Sequence, residues 1–157
     1  MKSKIIYLSL FCLLISLSAC GFKKVRDSNI DLFYANNIIT NGDKKFGYYV
    51  KNEILLNSSR NSKNKINIII DISKTNKIKA KNVSGKVTKY NLTVDVKLTI
   101  NELGSGKNIM RNFSKSVEYN VGTNHTTTLA REKKTIESIK GYIGEEINKF
   151  LNIYFRN

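Results

Sequence analysis

The sequence predicts an α+β fold, an antiparallel sheet of about four strands with two amphipathic helices packed on one of its faces. Two observations carry this. From Ile66 to Val121 the apolar residues alternate with polar ones, and from Leu129 to Tyr154 they recur at three-and-four spacing. The first period places every second side chain on one side of a sheet, and the second draws an apolar stripe down a helix. A one-sided sheet and a one-sided helix bury their apolar surfaces against each other.

Asn29 to Asn37, with Ile30, Leu32 and Tyr34 alternating, reads as a short first strand. Asn41-Gly42-Asp43 supplies turn and cap chemistry, and Phe46, Val50 and Ile54, joined by Tyr49 and Leu55, then mark an amphipathic helix to about Asn57. Gly47 weakens that helix. The polar run from Asn57 to Asn64 is a loop.

Three strands follow. Ile66, Ile68, Ile70, Ile72 and Ile78 are even-numbered, as are Tyr90, Leu92, Val94, Val96, Leu98 and Ile100, whereas Ile109, Phe113, Val117, Tyr119 and Val121 are odd. Residues opposite each other in antiparallel strands share a face, so the first turn needs an odd loop and the second an even one. Ser84-Gly85-Lys86 fits the first as a three-residue loop, with Val83 opposite Val87 and Lys81 opposite Lys89. The same register sets Asp71 and Asp95 opposite Thr99 and Thr75. Gly104-Ser105 fits the second as a two-residue turn, with Val96 opposite Phe113, Leu92 opposite Val117 and Tyr90 opposite Tyr119. Arg111 and Lys115 fall on the apolar face of the last strand, which calls for a bulge or for side chains that snorkel outward. After the cap-rich stretch Asn124 to Thr128, Leu129, Ile136, Ile139, Ile143, Ile147, Phe150 and Tyr154 form the stripe of a long helix. Gly141 and Gly144 interrupt it and suggest a close approach of helix to sheet.

The chain begins with material of another kind. Lys2 and Lys4 precede an apolar run from Ile5 to Leu17, and Leu17-Ser18-Ala19-Cys20 follows. Basic, apolar and small-residue regions in that order make a secretory signal. The run is too short for a transmembrane helix, which takes about 20 apolar residues. Leu17-Ser18-Ala19-Cys20 resembles the lipobox of bacterial lipoproteins, and the resemblance implies acylation of Cys20, which becomes the mature first residue. Residues 1–19 are then the signal peptide, 20–28 a lipidated tether and 29–157 a single globular domain. One acyl chain, at about 0.8 kcal/mol per buried methylene, anchors only marginally, so the further chains that lipoproteins carry make attachment stable. In proteins with such a signal an aspartate after the cysteine marks inner-membrane retention; Gly21 stands here, which points to the periplasmic side of the outer membrane.

Without its signal the chain loses Cys12, and lipid occupies Cys20, so neither a disulfide nor a thiolate metal site is expected. Of the 27 Lys+Arg two lie in the signal, leaving 25 against 12 Asp+Glu, a balance of +13. Such a charge attracts polyanions, and export disfavours nucleic acid among them. The positive charge is concentrated. Lys74, Lys77, Lys79, Lys81, Lys86 and Lys89 lie between Ile72 and Val94 with no acidic residue among them. Lipopolysaccharide in transit is among the anions on the periplasmic side of the outer membrane, and Lys77, Lys79, Lys81, Lys86 and Lys89 are the candidate residues to bind it. Lysines also blunt an exposed strand end against edge pairing, so both readings stand.

The lipobox, Cys20-Gly21-Phe22, a short strand, a helix, a three-strand meander and a final helix near Ala130-Arg131-Glu132 together resemble the LptE family of lipopolysaccharide-assembly lipoproteins, in its small alphaproteobacterial-type form. Lys23-Lys24-Val25 stands where many members have a Pro-Leu-Tyr-like stretch. The resemblance implies a lipid-anchored outer-membrane subunit that plugs an LptD-type barrel and binds lipopolysaccharide. The alternative is a periplasm-facing lipoprotein that docks on and regulates another envelope protein, such as a cell-wall synthase. Catalysis is not expected. The single histidine, His125, stands beside a helix start without a nucleophile motif, and no cofactor or metal set appears at ligand spacing.

Overall fold

In the computed structural model the described residues are 31–156, so Cys20, the signal and the tether lie outside them. Six elements follow in order: β1 (Tyr34–Gly42), α1 (Lys44–Leu56), β2 (Lys65–Lys81), β3 (Val87–Glu102), β4 (Asn108–Asn120) and α2 (His125–Arg156). The strands form one sheet in the order β1-β2-β3-β4. Both helices contribute to one apolar core on a single face of it. The expected α+β architecture is present.

The sheet is mixed. β2, β3 and β4 form the antiparallel meander, but β1 pairs with β2 in parallel, Ile38 beside Ile68 and Thr40 beside Ile70. A parallel pair needs a crossover, and α1 with its loop supplies it. β1 also lies later than its alternation suggested, beginning at Tyr34, with Leu32 and Phe33 both buried ahead of it. Gly42 adopts φ +88°, and a Cβ there would stand 1.9 Å from the Ile72 carbonyl oxygen. That residue therefore turns the chain where no side chain fits. Asp43 then caps α1, accepting a hydrogen bond from the Phe46 amide at 2.9 Å.

The core is made of the residues the two periods selected. Ile66, Ile68, Ile70 and Ile72 from β2 and Leu92, Val94, Val96, Leu98 and Ile100 from β3 are buried against Phe46, Val50 and Ile54 of α1 and Ile139, Ile143, Ile147 and Leu151 of α2. Each such aliphatic side chain contributes about 1.5–3 kcal/mol on burial. Leu129, expected in the helix stripe, is half exposed, and Leu151 takes a core place instead. Leu55 is exposed as well.

The glycines act differently from their sequence reading. A Cβ on Gly47 would stand 3.1 Å from the Thr40 Cβ and 3.3 Å from the Ile72 Cδ1, so the residue that weakens α1 also lets it lie close on the sheet. Gly144 faces the Tyr49 ring of α1, making its close approach helix to helix; Gly141 faces open space.

Candidate functional site

β2 leaves the cover of the helices before β3 does, since Val94 and Leu92, opposite Lys74 and Asn76, are still buried. Ile72 is the last buried residue of β2, and from Ser73 to Lys79 every residue is exposed. Ile78 keeps the core-facing parity yet is 53% exposed, which marks where cover ends. From Ile78 to the end of β2 at Lys81 the strand rises roughly 10 Å at about 3.3 Å per residue. Tyr119 of β4 and Tyr90 of β3 brace the base of this arm. Their rings stack at 5.5 Å, and the Tyr119 hydroxyl accepts from the Asn76 amide at 2.6 Å. Burial is the main reason the Tyr119 phenol is pushed above its usual range.

The arm's register differs from expectation by two residues. Ile72 pairs with Val96 and Ile78 with Tyr90, and after an irregularity at Lys79 and Ala80 the strands close with Lys81 beside Val87. The loop is therefore the five-residue Asn82–Lys86, not a three-residue one, and Lys81 does not face Lys89. Both lengths are odd, so both preserve the face of every residue. The same two-residue difference puts Asp71 beside Lys97 and Asp95 beside Ser73. The β3–β4 register holds as expected, Val96 with Phe113 and Tyr90 with Tyr119, but its turn is the four-residue Leu103–Gly106 with Gly106 at φ +70°.

Lysine positions follow from this register. Lys79 and Lys89 converge on Glu118 of β4, with Nζ to carboxylate distances of 3.4 and 3.3 Å. Those two ammonium groups, Lys89 first, hold the Glu118 carboxyl below its usual range. Glu118 was absent from the sequence cluster because it enters from the next strand, although the predicted β3–β4 register already placed it beside Asn91. Lys74 pairs with Asp43 at 3.1 Å. Among the described residues no ion pair holds Lys77, Lys81 or Lys86. The five candidate lysines thus divide into a clamped pair and three exposed cations, Lys81 and Lys86 at the tip and Lys77 on the core side of the pair, beside Asn91.

Arg111 and Lys115 need no bulge, since β3 and β4 pair without interruption. Their chains cross the apolar face and end on aromatic rings of α2: the Lys115 Nζ lies 4.0 Å from the Tyr142 centroid and the Arg111 guanidinium 5.8 Å from Phe150. Each such contact is worth about 0.5–1 kcal/mol near the surface.

The sheet face away from the helices is open and polar. A cleft of about 470 Å³ is lined there by Asp71, Asp95, Lys97 and Ser114. Asp71 accepts from the Asn41 amide at 2.8 Å and Asp95 from the Ser114 hydroxyl at 2.6 Å. His125 is exposed at the first turn of α2, where Asn124 caps the helix by accepting from the Thr127 amide at 2.8 Å. Among the described residues no three His, Cys, Asp or Glu side chains gather as a metal site, and no helix is long and apolar enough to cross a membrane.

The domain belongs by its architecture to a class of small α+β folds: a one-sided four-stranded sheet, a crossover helix, a long final helix and a protruding hairpin. No family model and no curated protein matches the sequence. Solved structures do match in fold. Rare lipoprotein B from Shewanella oneidensis is 14% identical, with a TM-score of 0.52, over 76% of this chain and 93% of that one. A protein from Caulobacter crescentus assigned as a lipoprotein is 13% identical, with a TM-score of 0.54, over 76% of this chain and 90% of that one. At these identities the likeness is one of fold.

Proposed function

We propose that this chain is an envelope lipoprotein of the lipopolysaccharide-assembly machinery, acylated at Cys20 and held on the periplasmic side of the outer membrane. The β2–β3 arm binds the phosphates of lipopolysaccharide, and the domain plugs an LptD-type barrel. The observation that carries the reading is the arm itself, a hairpin on which Lys77, Lys81 and Lys86 have no carboxylate partner among the described residues. The lipobox and the shared fold with rare lipoprotein B support the lipoprotein part. No catalytic step is assigned to the domain.

The arm indicates which lysines to change. Lys79 and Lys89 secure Glu118, so reversing them would set three carboxylates together and disturb the sheet. Lys77, Lys81 and Lys86 carry no such structural duty. The variant Lys77→Glu/Lys81→Glu/Lys86→Glu is expected to lose lipopolysaccharide binding, measured by titration with purified lipopolysaccharide, while its unfolding midpoint stays within a few degrees of the native one. Binding that survives the triple reversal removes the arm as the site. Co-purification of the tagged lipoprotein from detergent extracts tests the barrel: a stoichiometric LptD-type barrel supports the reading. A cell-wall synthase in its place would establish the alternative of a docking regulator.

A further inference from the structure

Val83 stands at the apex of the arm, with relative exposure of 108%. A β-branched apolar residue held wholly in water contributes nothing to folding, and its surroundings are not those of a slack loop. The Asn82 side-chain oxygen accepts from the amides of Ser84 at 3.1 Å and Lys86 at 2.9 Å. The Asn82 amide donates to the Lys86 carbonyl, and the Gly85 amide to the Asn82 carbonyl, both at 2.9 Å. Gly85 takes φ +77° with nothing within 4 Å of a Cβ position, so the turn is open on its outer side.

The loop thus satisfies four of its own polar contacts internally and points one aliphatic side chain outward. That arrangement lowers the cost of leaving water, because main-chain groups already paired lose little on desolvation. Lys81 and Lys86 flank the apex, and Lys77 follows four residues down the strand. Apolar tip and cationic collar match the cross-section of an anionic leaflet, with acyl chains beneath a phosphate layer.

We infer that the β2–β3 apex is a docking point for an anionic lipid surface: Val83 enters the acyl boundary while Lys81 and Lys86 remain at phosphate depth and Lys77, about 13 Å further down the strand, adds only to the field. The inference uses the arm of the proposed function but does not require lipopolysaccharide to be its cargo. Burying one valine corresponds to about a tenfold gain in partition, and each lysine at an anionic surface to about fivefold.

The test uses the full chain reconstituted into vesicles of phosphatidylglycerol mixed with phosphatidylcholine, and into phosphatidylcholine alone. The sequence contains no tryptophan, so Val83→Trp creates a single reporter. In the anionic vesicles its emission is expected to shift to the blue and to be quenched by brominated acyl chains, and both effects should disappear in phosphatidylcholine alone or with Lys81→Gln/Lys86→Gln. Because tryptophan favours interfaces more than valine does, amide exchange of Ser84 to Val87 is followed in the native chain as well. It should slow in the anionic vesicles, and Val83→Asn should reduce that slowing about tenfold. Emission that stays at its water position and remains open to aqueous acrylamide overturns the inference, as does exchange indifferent to Val83→Asn. Lipopolysaccharide titrations on the same variants separate the two proposals. A wet apex with lipopolysaccharide still bound defeats only the docking point, and an inserted apex without lipopolysaccharide binding defeats only the cargo.

Discussion

At the scale of single residues, Asp43 shows how one side chain serves two elements. It caps α1 through the Phe46 amide and pairs with Lys74 from β2. The amide first, and the ammonium after it, hold its carboxyl below the usual range. A depressed folded-state pKa means that the stabilisation is complete above the unfolded-state value, near 3.9, and is lost as pH falls through the lower folded value. Asp43→Ala is expected to cost about 1 kcal/mol at neutral pH, the usual worth of an N-cap, whereas Asp43→Asn keeps the cap and loses only the surface pair. Denaturant melts of the three proteins from neutral to acid pH check this. The gap between native and Asp43→Ala should close in acid, and a gap independent of pH would show that the carboxylate charge is irrelevant. This cap was legible in the sequence, since Asn-Gly-Asp before an apolar period has few other uses. Lys74 as its partner was not, because that contact depends on β1 and β2 running parallel.

At the scale of elements, legibility followed the physics of each connection. Parity fixed which face every residue of β2, β3 and β4 takes, and the Gly104-Ser105 turn, added to parity, set the β3–β4 register. Parity left β2–β3 undetermined by two residues, because loops of three and five residues give the same faces. β1 misled because it is a polar strand burying only Ala35 and Ile38, so its alternation is weak where it pairs and stronger just before. Arg111 and Lys115 broke the pattern for a reason that lies outside their own strand. β4 is a sheet edge, and inward-pointing charges are one way an edge is kept from pairing with another chain. Their cations are accommodated on Tyr142 and Phe150, which sequence periodicity assigns only to a helix. Arg111→Val/Lys115→Val should therefore change stability little, since about 0.5–1 kcal/mol per cation–π contact is exchanged for apolar burial and strand propensity. It should instead self-associate at concentrations where the native chain is monomeric. Sedimentation velocity over a concentration series decides: an unchanged distribution would mean that the two charges serve only the packing of α2.

At the scale of the whole molecule, the core and the arm divide stability from interaction. The buried residues of α1, α2 and the inner strands hold the fold, and the arm carries positive charge beyond them, moderated at its base by Glu118. That carboxylate neutralises part of the field that Lys79 and Lys89 would otherwise add to Lys77, Lys81 and Lys86. Glu118→Gln removes a negative charge, keeps the side chain's shape and leaves two more cations unpaired. If the arm binds a phosphate-bearing ligand, this variant should bind lipopolysaccharide about two to five times more tightly at low salt, a change the size of one surface ion pair. The difference should shrink as ionic strength rises and the screening length falls to about 8 Å near physiological salt. Titrations at two salt concentrations, with the unfolding midpoint measured alongside, distinguish the causes. Tighter binding that salt erases places the interaction in the field of the arm. Equal or weaker binding with an unchanged midpoint would show that Glu118 lies outside the ligand's field, and the site would have to be sought elsewhere on the basic surface.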